Sequence, residues 1–232
     1  MRGVFVTGTG TEVGKTVVAA AIARTLAAGG ERVAVFKPAV TGLEEPGETD
    51  HALLRRASGS SQSDEQIAPY RYQPPVSPHL AAELAEEEID PDHLLAAARA
   101  AAEGADALVC EGVGGLLVPL RAGRVCTPMG DKVAPPYLVR DLAVDLGLPL
   151  VIAASPGLGT INHTLLTLDA ARAAGLAVAA VVLTPWPDEP TEIERSNRET
   201  IAVLGAVKVG TLPPLDLDDL GSWPALTLRP TG

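Results

Sequence analysis

The stretch Val4-Phe5-Val6-Thr7-Gly8-Thr9-Gly10-Thr11-Glu12-Val13-Gly14-Lys15-Thr16 constrains this chain more than any other. A β-branched and aromatic run ends in a glycine-rich turn, then Lys-Thr, then the apolar helix-like segment Val17 to Ala28. That order predicts strand, phosphate-binding loop and helix. Backbone N–H groups in such a loop point inward onto phosphate oxygens, and the helix N-terminus adds partial positive charge. Lys15 is expected to reach the β- and γ-phosphates, and the Thr16 hydroxyl to sit on Mg²⁺. Five residues separate Gly8 from Gly14, one more than a strict phosphate loop carries. A dinucleotide fingerprint also fails by one residue and has no need of the lysine, so the Gly14-Lys15-Thr16 tail selects a nucleoside triphosphate. A chance glycine turn ahead of a helix is the plain alternative, and the weaker one in this context.

The rest of the chain alternates. Strand candidates are Gly3–Thr7, Arg32–Phe36, Ala107–Cys110, Leu150–Ala154, Val178–Leu183 and Val207–Val209. Helical patterns fall at Thr16–Ala28, Ala52–Ala57, Pro91–Glu103, Leu138–Leu146, Ile161–Ala174 and Glu192–Leu204. Near-continuous apolar strands between helices predict an α/β fold, a mainly parallel sheet with helices on both faces, in one domain over residues 1–232. Asp90-Pro91 and Thr191-x-x-Glu194 read as helix starts. Ser58 to Pro78 reads as an extended loop over one sheet edge, and Ala122 to Pro136 has no clear period. Both are either flaps over a pocket or surface connections.

Charge and cysteine content narrow the function. A net charge of -11 argues against nucleic acid or an anionic membrane as partner. A phosphate site needs only local positive groups, and two of the four lysines (Lys15, Lys37, Lys132, Lys208) fall just after the first two predicted strands. No apolar run reaches the roughly 20 residues of a membrane span, and no signal peptide is expected. Cys110 and Cys126 are too few for a disulfide framework and lack metal-ligand spacing, which points to a reduced cytoplasm.

Three further clusters could carry chemistry. Lys37-Pro38-Ala39-Val40-Thr41-Gly42 follows the second strand, where an ammonium would face the phosphate loop and hold a transferring phosphoryl group. The other reading is a solvated strand-end lysine. As a strand-end charge, Lys37 is expected to be dispensable for folding. Glu111-Gly112-Val113-Gly114-Gly115 offers a carboxylate in a glycine loop, and Mg²⁺ takes few protein ligands. Thr16, Glu111 and one more acid would suffice. Asp50 is the candidate for that place, although taken alone it reads better as a helix cap than as a ligand. Gly157 to Thr164 opens a helix whose free N–H groups could bind a carboxylate. His163 and His79 are each a ligand donor or a packing residue.

Together Gly8–Thr16, Lys37–Gly42, Asp50, Ser77-Pro78-His79, Glu111–Gly115 and Gly159–Thr164 resemble the dethiobiotin synthetases, a family of P-loop NTPase-like fold, in order and over most of the chain. The resemblance implies ATP- and Mg²⁺-dependent closure of the ureido ring of dethiobiotin from 7,8-diaminononanoate and CO₂ or bicarbonate, with release of ADP and phosphate. It implies Lys37, Lys15 and Thr11 as catalytic and Thr16, Asp50 and Glu111 as metal ligands. Nucleotide would be held by Glu12, Val13, Gly14, Lys15, Thr16, Val17, Asp50, Glu111, Gly112, Val113 and Gly114, with Thr184, Pro185, Leu212, Pro213 and Pro214 near the base. Substrate would meet Thr41 and, from the partner subunit of a homodimer, the equivalents of Gly159, Thr160, Asn162 and His163. The chain departs from the pattern at Thr184-Pro185-Trp186, where many members carry Asn-Asp, at the second proline of Thr211-Leu212-Pro213-Pro214, and in an insertion over Val125 to Pro136. An amidotransferase of the cobyrinate-diamide type would need a glutaminase domain, for which 232 residues are expected to leave no room. A ParA/MinD-like switch would carry a second early lysine where Thr9 to Thr11 stand.

Overall fold

The computed structural model describes residues 2–125, 132–133 and 135–226. Most of the Val125 to Pro136 insertion, including Cys126, lies outside them. Six strands, β1 (Gly3–Gly8), β2 (Val33–Phe36), β3 (Ala107–Gly115), β4 (Leu150–Ala154), β5 (Val178–Leu183) and β6 (Val209–Thr211), form one sheet in the order β6-β5-β4-β1-β3-β2. Every pairing is parallel, so all carboxyl ends share one edge. The chain steps from β1 to one edge, returns through β3, and then continues on the far side of β1. That reversal beside β1 is where open α/β sheets bind ligands.

Among the described residues eight α-helices follow in chain order: α1 (Lys15–Ala28), α2 (Asp50–Ser58), α3 (Asp64–Ile67), α4 (Pro78–Leu84), α5 (Pro91–Ala101), α6 (Val139–Leu146), α7 (Thr160–Ala173) and α8 (Glu192–Leu204). Strand alternation sorts the core into two layers. Phe5, Leu108 and Phe36 pack with Leu94 and Leu142 from α5 and α6. Their neighbours Val6, Val109 and Val35 pack with Val18, Ile22 and Leu54 from α1 and α2. The alanines of α1 let it lie close on the sheet, with Ala19, Ala20 and Ala23 fully buried. Removing a side chain such as that of Phe5 from this core costs about 3–5 kcal/mol.

Four expectations change. β3 continues to Gly115, so Glu111 to Gly115 are strand rather than loop. Gly112 makes this possible, because a Cβ there would lie 2.8 Å from Val139 Cγ1 and 2.9 Å from Phe5 Cε1. The last strand sits at Val209–Thr211, two residues late. Ser58 to Pro78 is not simply extended: Ser63 and Gln66 build a capping box at the start of α3, Tyr70–Arg71 pairs in parallel with Ala39–Val40, and α4 begins at Pro78. This segment does cover a sheet edge, as expected. The Val35 N–H donates to Gln62 Oε1 (2.9 Å), Gln62 Nε2 donates to the Val35 carbonyl (3.1 Å), and the Lys37 N–H donates to the Ile67 carbonyl (2.8 Å). Side chain and loop thus replace the strand that β2 lacks on its outer side. Asp50, the fourth, is the first residue of α2 rather than its cap, which is Thr49.

Candidate functional site

Helix ends separate the elements that could hold an anion from those that are sealed. Ser63, Asp90 and Thr191 cap α3, α5 and α8 with side-chain oxygens, and Thr191 with Glu194 forms the expected capping box. α1 and α7 instead open from left-handed glycines, Gly14 (φ 81°) and Gly159 (φ 91°), with no side-chain cap and no acid in the first turn. Their leading N–H groups remain available to a ligand. Gly14 is hemmed in as well, since a Cβ there would lie 2.5 Å from Thr184 Cγ2. Glu12 also takes a positive φ, 56°, which bends the loop between Thr11 and Val13. Thr11 and Glu12 are exposed, and Val17 packs partly against the core.

Four side chains from four elements meet at the carboxyl ends of β1, β2 and β3. Lys37 Nζ lies 2.6 Å from Glu111 Oε1 and 2.7 Å from Asp50 Oδ2. The Thr16 hydroxyl lies 2.9 Å from both Asp50 Oδ1 and Glu111 Oε1. Lys15 Nζ donates back to the Gly10 carbonyl at 2.7 Å, curling over the loop. Glu111 is fully buried and Lys37 is 3% exposed. The reading of Lys37 as a solvated strand-end lysine is therefore corrected, and the ground for expecting it to be dispensable for folding goes with it: Lys37 neutralises a buried carboxylate.

Burial sets the electrostatics. It pushes the Glu111 carboxyl above its ordinary value, and the Lys37 ammonium offsets only part of this. Burial would pull Lys37 down, but the Glu111 and Asp50 carboxylates outweigh it and hold the ammonium above its usual range. Asp50 also resists its burial: Lys37 and the Thr16 hydroxyl keep it below the ordinary carboxylate value. Lys15 is lowered, by burial first, with the Glu111 carboxylate opposing.

The donor set fits Mg²⁺. Thr16, Asp50 and Glu111 supply convergent hard oxygens, and Glu111 Oε2 is buried with no hydrogen-bond partner. Mg²⁺ takes few protein ligands and completes its shell with water and phosphate oxygens, so two carboxylates and a hydroxyl are enough.

The remaining candidates are spread along the same edge. Thr41 follows a two-residue strand, Ala39–Val40, and is partly buried. Gly112, Val113 and Gly114 extend β3 beyond Glu111. Near the expected base position, the side chains of Thr184 and Leu212 are buried (3% and 1% exposed), whereas Pro185 and Pro214 are exposed and Pro213 partly so. Trp186 joins them, held by its N–H to the Leu212 carbonyl (2.8 Å) and with the Arg198 guanidinium 5.9 Å from its ring centroid. Asn162 and His163 are exposed at the start of α7, which follows β4, the strand paired with β1 on the side away from β3. His79 is not gathered into the lysine–carboxylate cluster; it lines a crevice with Glu83, Glu87 and Arg121. Sequence reasoning missed Asn197 and Gln62, buried or bridging amides whose partners are distant in the chain. Neither carries a local signal.

A family profile described as an AAA domain matches residues 2–219. Among curated relatives, proteins named ATP-dependent dethiobiotin synthetase BioD are 36% identical over 217 residues in Bacillus subtilis (93% of this chain, 88% of the relative). In Acidiphilium cryptum the identity is 38% over 228 residues (95% of each). In Anaeromyxobacter dehalogenans strain 2CP-1 it is 44% over 214 residues (88% of this chain, 90% of the relative). With a phosphate loop, a buried lysine between two carboxylates, and this likeness over nearly the whole length, the chain belongs to the dethiobiotin synthetase family.

Proposed function

We propose that this protein is an ATP-dependent dethiobiotin synthetase acting on 7,8-diaminononanoate, CO₂ and ATP. The observation that carries the reading is the meeting of Thr16, Lys37, Asp50 and Glu111 at the mouth of the phosphate loop. One substrate amine adds to CO₂, forming an N–C bond and losing a proton. The carbamate oxygen then attacks the γ-phosphorus and ADP leaves. The second amine attacks the carbonyl carbon of the resulting mixed anhydride, phosphate departs, and the ureido ring closes. Because both amines belong to one bound molecule, closure is intramolecular and avoids the entropy of a second encounter.

Each group has a task that its chemistry allows. The N–H groups of Glu12 to Val17 cradle phosphates, and Lys15 turns from Gly10 to the outer phosphates. Lys37 and Thr11 face the transferring group and the carbamate, where fixed positive charge stabilises the charge that develops. Thr16, Asp50 and Glu111 would hold Mg²⁺, which when bound neutralises phosphate charge. Thr184, Pro185, Leu212, Pro213 and Pro214 flank the base. Thr41 touches substrate, and the α7 turn of a second copy in a homodimer receives its carboxylate tail. Residues 1–232 act as one domain, in the cytoplasm; no described helix is long and apolar enough to cross a membrane. The test is phosphate release measured with each substrate alone and with both. Release that requires the diamine and bicarbonate together is the expected result, and release indifferent to them overturns the reading.

A further inference from the structure

The turn ahead of α7 has an anchor that comes from another part of the chain. Asn197, on α8, is 7% exposed, and its Nδ2 donates to two successive carbonyls of that turn, Pro156 (2.9 Å) and Gly157 (3.1 Å). Within the turn, the Thr160 N–H returns to the Gly157 carbonyl at 3.3 Å. The turn is otherwise lightly held: Gly157 is exposed and has open space around it, and Leu158 is 95% exposed. A glycine with such freedom populates many backbone conformations unless something holds its peptide. The amide of Asn197 fixes two carbonyls, and with them the peptide planes that lead to Gly159 and the uncapped N–H groups of α7.

We propose that Asn197 is a positioning residue for recognition of the substrate's carboxylate, acting through the Pro156–Gly159 turn rather than by touching substrate. This rests on the reading above, in which the α7 turn receives that carboxylate. An anion at a helix start is held by several N–H groups at once, so the penalty for a loosened turn falls on the charged tail and not on the reacting amines. Nucleotide binding, at β1 and α1, is untouched.

The experiment compares the wild type, Asn197→Ala and Asn197→Ser, the second keeping a polar side chain too short to bridge both carbonyls. Each is assayed with 7,8-diaminononanoate and with a vicinal alkyl diamine that lacks the carboxylate, and melting temperatures are recorded. The expected result is a KM for diaminononanoate raised about tenfold, a factor of the size one charge-assisted contact supplies. KM for ATP stays within about twofold, and the carboxylate-free diamine is used equally by all three proteins. An unchanged KM in folded variants overturns the proposal. An equal penalty on both diamines, or loss of kcat and ATP affinity in step with melting temperature, overturns it too, by assigning Asn197 to folding alone. If the wild type itself shows no turnover dependent on diamine and bicarbonate, the underlying functional reading fails instead.

Discussion

The two ends of the sheet carry ion pairs of nearly the same length and opposite consequence. At the carboxyl ends Lys37 Nζ lies 2.7 Å from Asp50 and 2.6 Å from Glu111. At the amino ends Arg2 lies 2.6 Å from Glu31 and Arg32 lies 2.8 Å from Asp106. Exposure divides them, since the side chains of Lys37 and Glu111 are 4% and 0% exposed while those of Arg32 and Asp106 are 72% and 42%. In water such pairs are screened and contribute little, whereas buried charge must be neutralised within the protein. A hollow of about 600 Å³ opens at the amino end, lined by Arg2, Arg99 and Asp106, yet has none of the buried charge. Desolvated charge, which this hollow lacks, is what singles out the candidate site.

Substitutions can break this contrast. Lys37→Ala should reduce turnover by about 10²–10³-fold, the range for loss of one preorganised charge stabiliser. It should also destabilise by about 3–5 kcal/mol, because Glu111 loses its partner inside the protein. Urea titration alongside steady-state rates measures both, and an unaltered midpoint would mean that Glu111 finds another counter-charge. Arg32→Ala, at the other end, should leave turnover unchanged.

Gly14→Ala should weaken ATP binding about tenfold, since it strains a left-handed position and drives a methyl towards Thr184. Adding Thr184→Ser removes the opposing methyl and should recover part of the loss, as read by nucleotide titration. Smaller still is the expected preference among nucleotides. With the Thr184 and Leu212 side chains buried and prolines beside the proposed base position, ATP should exceed other triphosphates by only a few-fold in kcat/KM. A large loss with every non-adenine nucleotide would show a base contact that these residues do not offer.

The gentlest test is acid. Asp50 is held below its ordinary value of 3.8, and Asp106, by its hydrogen bonds to Arg32, falls to about 2. A carboxylate with a lowered pKa adds stability that is present above its unfolded value and lost as pH falls through the folded one. Both contributions therefore fade below about pH 3.8. In 1 M salt the Asp106 part should vanish and more of the Asp50 part persist: the two carboxylates are similarly exposed, but the partner of Asp106, Arg32, lies in water (72% exposed) while that of Asp50, Lys37, is buried (4%). Comparing Asp50→Asn and Asp106→Asn melting curves in acid, with and without salt, measures the difference.

What the sequence disclosed follows the range of the forces involved. The β1 loop and α1, the alternation of strand and helix, and the caps at Asp90 and Thr191 are local patterns and were readable. Lys37, Asp50 and Glu111 could be suspected singly, but their meeting depends on the β1–β3–β2 strand order, which no local window contains. The extension of β3 through Glu111 was hidden because glycines signal a turn, and only the crowding of Gly112 by Phe5 and Val139 explains a strand there. Gln62 and Asn197 act on carbonyls and amides far away in the chain, so their residue types alone announced nothing.

The near-contact between Gly14 and the Thr184 methyl couples two stretches that a chain diagram would treat as independent modules. In the proposed function one closes around phosphate and the other borders the base. Drift at either place is answerable to the other: while residue 184 keeps a methyl where Thr184 has one, residue 14 is held to glycine.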